Sequence, residues 1–118
     1  MLFIRMVEQE SHDKLTDILK AASDPTRRAV LTLLAQHGPQ CVTNIAGHFE
    51  MSLNSVSKHI KVLEKAGLVA RRTEWREHLI EVQMAPLEEI DRWFADLRSI
   101  WAQRLEALDH LLTQETAK

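Results

Sequence analysis

Between Ser11 and Ala22 the apolar residues Leu15, Ile18, Leu19 and Ala22 recur at helical spacing, and Ser11 stands where an N-cap belongs. A fresh start follows at Ser23-Asp24-Pro25. Asp24 reads as an N-cap and Pro25 as the first helical residue, where a missing N–H costs nothing. Val30, Leu31, Leu33 and Leu34 give this second helix its apolar face, and His37-Gly38-Pro39 ends it. A short third helix is predicted from about Thr43 to Phe49 through Ile45 and Ala46. After Glu50-Met51, Ser52 caps a fourth helix whose inner stripe is Leu53, Val56, Ile60, Leu63 and Ala66, and Gly67 stands at its C′ position.

The apolar period then changes. Leu68 to Thr73 and His78 to Val82 have strand character and are separated by the polar stretch Glu74-Trp75-Arg76-Glu77, so a small hairpin is predicted. Pro86, with Glu88 and Glu89 behind it in the first turn, opens a last helix reaching about Leu112. Its stripe runs through Ile90, Trp93, Phe94, Leu97, Ile100, Trp101, Leu105, Leu108, Leu111 and Leu112. About 27 residues at 1.5 Å each span roughly 40 Å, more than the diameter of a domain this small. Part of the stripe must therefore lack a partner in its own chain, and an apolar patch of that kind marks an interface. The expected assembly is a homodimer seamed by Trp93, Leu97, Ile100, Trp101, Leu105 and Leu108 of the last helix with Leu15 and Ile18 of the first.

Composition bounds the class without changing this picture. A chain of 118 residues, 45% hydrophobic and 27% charged, is one ordinary globular domain rather than a disordered or fibrous one. A single cysteine, Cys41, forms no internal disulfide and suits a reducing cytoplasm. The apolar run at Met1 stops at Arg5, and no later stretch is long enough for a membrane span, so the expected location is cytoplasmic. Met1 and Met6 both stand as candidate starts.

Charge does change the picture once it is divided along the chain. Residues 1–51, 52–80 and 81–118 carry net charges of −1, +3 and −4, which make up the overall −2. A basic middle between acidic ends points to an anionic partner for the middle alone.

Two helices joined by a short turn and followed by a hairpin describe a winged helix-turn-helix: a mainly α fold with a small β wing, dimerising through its terminal helices. In such a unit the second helix turns short polar and cationic groups toward base edges and phosphates. Here those positions are Asn54, Ser55, Ser57, Lys58, His59 and Lys61, joined by Thr43 at the start of the preceding helix. Arg71, Arg72 and Arg76 lie on or near the wing, where a second element reaches the neighbouring minor groove or backbone. The implied partner is double-stranded DNA. A solvated helix face and a wing used for protein docking are the alternative readings of the same residues.

The blocks Asp24-Pro25-Thr26-Arg27-Arg28 and Ser52-Leu53-Asn54-Ser55-Val56-Ser57-Lys58-His59-Ile60-Lys61-Val62-Leu63-Glu64-Lys65-Ala66-Gly67-Leu68-Val69 resemble the ArsR family of bacterial winged-helix repressors, over about residues 12 to 85. Trp101, Arg104-Leu105 and Leu108 resemble a subgroup of it without the known metal sites. Length, stripes and resemblance together give one domain over 1–118, with a DNA-binding core at about 24–84 and dimerisation helices at about 11–22 and 86–112. The resemblance implies a homodimer that binds an imperfect palindrome at its own promoter and blocks transcription.

Metal sensing is the family's best-known response, and the chain departs from both of its patterns. Where arsenic-, cadmium- or lead-sensing members carry Cys-x-Cys, this chain has Cys41 and Thr43; where zinc-sensing members pair ligands on the last helix, Asp91 is followed two residues on by Trp93. Tryptophan's indole N–H is a donor only and cannot stand in for a ligand. His12 and His110, at opposite ends, form the remaining candidate pair across an interface, and Cys41 reads either as a redox switch or as a small apolar residue. No cofactor and no metal is expected, and the inducer is unknown. No glycine-rich phosphate loop, nucleophile elbow or metalloprotease pattern occurs, so no enzyme activity is expected either.

Overall fold

The computed structural model describes residues 14–116, so the Ser11 cap, His12 and both candidate starts lie outside the described residues. The elements are α1 (14–22), α2 (Pro25–His37), β1 (Gln40–Cys41), α3 (Val42–Ala46), α4 (Leu53–Lys65), β2 (Val69–Glu74), β3 (Glu77–Val82) and α5 (Met84–Thr116). Local chemistry sets their ends. Asp24 accepts a hydrogen bond from the Arg27 N–H at 3.0 Å and Pro25 opens α2, while Ser52 Oγ accepts from the Ser55 N–H at 3.1 Å to start α4. At the far end of α4, Gly67 takes φ 78°; its N–H bonds the Glu64 carbonyl and the Leu68 N–H bonds that of Leu63, the double closure of a Schellman turn.

One apolar cluster holds these pieces together. Ile18 and Ala21 of α1, Val30 and Leu34 of α2, Ile45 of α3, Val56, Ile60 and Leu63 of α4, and Leu68, Val69 and Ile80 around the sheet are all buried in it. Ile18 was expected at the dimer seam. It is 2% exposed instead, because the face of α1 that meets α2 and α4 runs through Ile18 and Ala21. Leu53 also departs from expectation: it shares the angular position of Ile60 but sits on the first turn of α4, beyond the end of the core, and is exposed.

The sheet has the order β1-β3-β2, all antiparallel. The short β1 was not predicted, since two residues have no period; Gln40 pairs with Ile80 and Cys41 with Leu79. Helix α3 stops at Ala46 rather than Phe49, and the hairpin turn is tighter than the four polar residues suggest, because Glu74 pairs with Glu77 and leaves only Trp75 and Arg76 outside the ladder.

Helix α5 is longer than predicted at both ends, starting at Met84 with Pro86 inside its first turn. At 33 residues it extends about 50 Å. Leu87 and Ile90 pack against the core, and the side chains of residues 91–114 are exposed. Trp93, Phe94, Leu97, Ile100, Trp101, Leu105, Leu108, Leu111 and Leu112 therefore form an exposed apolar stripe. No helix of the described residues is long and apolar enough to cross a membrane.

Candidate nucleic-acid interface

Helix α4 is built to show one face outward. Its Val56, Ile60 and Leu63 are fully buried, and at about 100° per residue the opposite direction falls on Asn54, Lys58, Lys61 and Lys65, with Ser55 and Ser57 on the flanks. Asn54, Ser55, Lys58 and Lys61 are exposed and Ser57 is half-buried. Three lysines on one face, with one acidic residue, Glu64, on the whole helix, make this surface cationic. The Ser52 hydroxyl donates to Ser55 Oγ at 3.0 Å, which leaves the Ser55 proton free to point outward as a donor. Thr43 is exposed on α3, ahead of the turn.

His59 is placed differently from the sequence expectation. It lies only about 60° from the centre of the buried stripe, so its ring leans back toward α2 and its side chain is 22% exposed. Nδ1 is 3.3 Å from Arg27 Nη1 and 3.9 Å from Asp24 Oδ2. Arg27 is the residue that sequence reasoning missed: besides His59 it bonds the carbonyls of Ala21 at 2.6 Å and Lys20 at 3.2 Å, while Arg28 bonds that of Ala22 at 2.8 Å. Two guanidinium groups thus satisfy the carbonyl end of α1, and one of them also touches α4. His59 joins a positioning contact between α1, α2 and α4 rather than an open reading surface. The Asp24 carboxyl is held below its usual value chiefly by the Arg27 N–H, with the His59 and Arg27 charges adding to the effect.

The wing arginines are not equivalent. Arg71 Nε meets both Glu64 oxygens at 3.0 and 3.1 Å, and Arg72 reaches Glu74 at 3.4 Å and Glu81 at 3.5 Å. Arg76, in the turn, is exposed and makes no ion pair among the described residues. Beside it Trp75 has φ 60° and is 94% exposed.

Cys41 stands alone among thiols, as the sequence requires. Cys41 is half-buried in β1 at the start of α3, Thr43 follows on the exposed side, and no group of three or more His, Cys, Asp or Glu is gathered in metal-holding geometry among the described residues. The rings of His37 and His48 stack 6.3 Å apart.

A helix-turn-helix domain family matches residues 22–72. The arsenical resistance operon repressor of Staphylococcus xylosus is 33% identical over 70% of this chain and 78% of its own length. The crystal structure of an ArsR family transcriptional regulator, 34% identical, superposes with a TM-score of 0.70 over 76% of this chain and 92% of that one. The chain belongs to the ArsR family of winged helix-turn-helix transcriptional regulators. A possible ArsR-family regulator of Mycobacterium bovis, solved in solution as a homodimeric winged helix-turn-helix DNA-binding domain, is 29% identical with a TM-score of 0.57 over 79% and 82% of the two chains. In this ArsR-family chain the helix-turn-helix is α3–α4 and the wing is β2–β3.

Proposed function

We propose that the chain is a cytoplasmic, homodimeric repressor that docks one α4 from each protomer into successive major grooves of a palindromic operator, including one at its own promoter. The observation that carries this reading is the outward face of α4, where Asn54, Ser55, Lys58 and Lys61 are exposed directly behind a fully buried Val56, Ile60 and Leu63. Lys58 and Lys61 neutralise phosphates, Asn54 and Ser55 read base edges, and Ser57 and Thr43 approach the backbone. Arg76 adds a contact from the wing, while Arg71 and Arg72 exchange glutamate partners for phosphate on binding.

The dimer seam is the exposed stripe from Trp93 through Leu97, Ile100, Trp101 and Leu105 to Leu108, joined by half-buried Leu15 of α1. The homodimeric relative from M. bovis and the repressor from S. xylosus support the assembly and the direction of control. Repression follows from occupying the promoter and involves no catalysis. The test is a gel shift with the DNA upstream of the gene, searched first for an inverted repeat. Ser55→Ala is expected to change sequence preference by about 1–3 kcal/mol at one position, and Lys58→Ala to weaken all duplexes alike. Absence of a shifted band at any duplex contradicts the proposal.

A further inference from the structure

Trp75 occupies the first position of the two-residue turn between β2 and β3, and Arg76 the second. Its φ of 60° lies in the left-handed region, where glycine is the default and a bulky residue is a genuine outlier. The ring is also 94% exposed, so almost no contact within the chain offsets either the backbone strain or the hydration of an indole. Strain combined with exposure at a protruding tip is characteristic of a residue kept for what it touches outside the chain. Arg71 and Arg72 are held by glutamates, whereas Arg76 carries no ion pair among the described residues. The outermost pair of side chains on the wing is therefore an apolar plate beside an uncommitted guanidinium.

We propose that the Trp75 indole wedges into the minor groove of bound duplex DNA, alongside Arg76. The inference rests on the DNA-binding reading and adds a contact to it. Proteins that enter the minor groove combine cations with apolar wedges that partly unstack a base step. The wing is tied to α4, since β2 starts four residues after α4 ends and Arg71 pairs with Glu64 of α4, and six residues of strand set the turn about 20 Å from the start of β2. Unstacking is easiest at pyrimidine–purine steps, so the operator flanks facing the wing favour TA or CA steps. An uncharged ring adds affinity without releasing counterions. That gives it a signature distinct from every arginine on the wing.

The experiment uses a duplex recovered by the full-length wild-type protein from a randomised pool, with binding measured across a salt series and thermal unfolding measured in parallel. Trp75→Gly and Trp75→Asn relieve the left-handed strain and are expected to unfold at or above the wild-type temperature. They bind the duplex about tenfold more weakly, in the range for losing one aromatic–base contact, with the salt slope unchanged. Trp75→Phe retains most of the affinity, and Arg76→Ala lowers the salt slope by about 0.9. Binding by Trp75→Gly within about twofold of a tightly binding wild type overturns the inference and leaves the DNA reading standing. So does a change in sedimentation in place of DNA affinity, which assigns the ring to a second copy of the chain. A wild type that recovers no duplex from the pool overturns both.

Discussion

Replacing Trp101 with alanine probes the dimer seam at its largest ring. The residue is 59% exposed in the single chain, which leaves about 150 Å² of a tryptophan's roughly 250 Å² open to a partner. At about 25 cal/mol per Å², covering half of that area contributes nearly 2 kcal/mol. A two-fold seam loses the ring twice, so the dimer weakens by nearly 4 kcal/mol, a rise in dissociation constant of about 500-fold. Sedimentation equilibrium over a concentration series reads this directly, with circular dichroism confirming that α5 remains helical. Operator affinity is expected to fall with it, because each half-site then binds one protomer independently. A dissociation constant within a few-fold of wild type, with helicity intact, refutes the assignment of the seam to α5.

Three further outcomes are expected. Ser52→Ala removes the oxygen that accepts the Ser55 N–H and costs about 1 kcal/mol, seen as a melting temperature lowered by about 4 °C; an unchanged melting temperature removes the cap from the account. Asp24 titrates below its ordinary 3.8 in the folded chain, so the stability it contributes is present above that pH and is lost as pH falls through the folded value. Asp24→Asn, which keeps a capping oxygen but does not titrate, is expected to flatten the acid limb of melting temperature against pH, and an identical limb contradicts this. Operator binding is expected to be indifferent to chelator and to added zinc, cadmium or arsenite; a tenfold shift in affinity, about 1.4 kcal/mol of coupling, overturns that expectation and directs attention to Cys41, His12 and His110.

What was legible in the chain was what local chemistry decides. Asp24-Pro25, Ser52 and Gly67 act within one turn of their own backbone, so the starts of α2 and α4 and the stop of α4 follow from residue type alone. The long apolar stripe of α5 was likewise visible, since a period sustained over many residues needs no tertiary information, but the polar residues beyond it gave no sign that the helix extends to Met84 and Thr116. The misses are residues whose surroundings come from elsewhere in the chain. Whether Ile18 faces its own core or a partner depends on how α1 meets α2 and α4, and spacing is silent on that. Leu53 has the right angle and the wrong height along α4. The helical angle of His59, close to the buried stripe, turns its ring toward α2, although its residue type suits an outward face. The left-handed φ of Trp75 had no sequence signal because a tight turn at that point calls for glycine, and the chain carries tryptophan.

Hydroxyl-radical footprinting of a selected duplex tests the central claim most directly, because it reports where along the DNA the protein lies without assuming which residues touch it. Two α4 helices in successive major grooves, with wings reaching the adjoining minor grooves, are expected to protect a two-fold symmetric pattern whose half-site centres lie about 10 base pairs, or 34 Å, apart. A single asymmetric patch, or uniform cleavage at protein concentrations where the dimer is formed, contradicts the account.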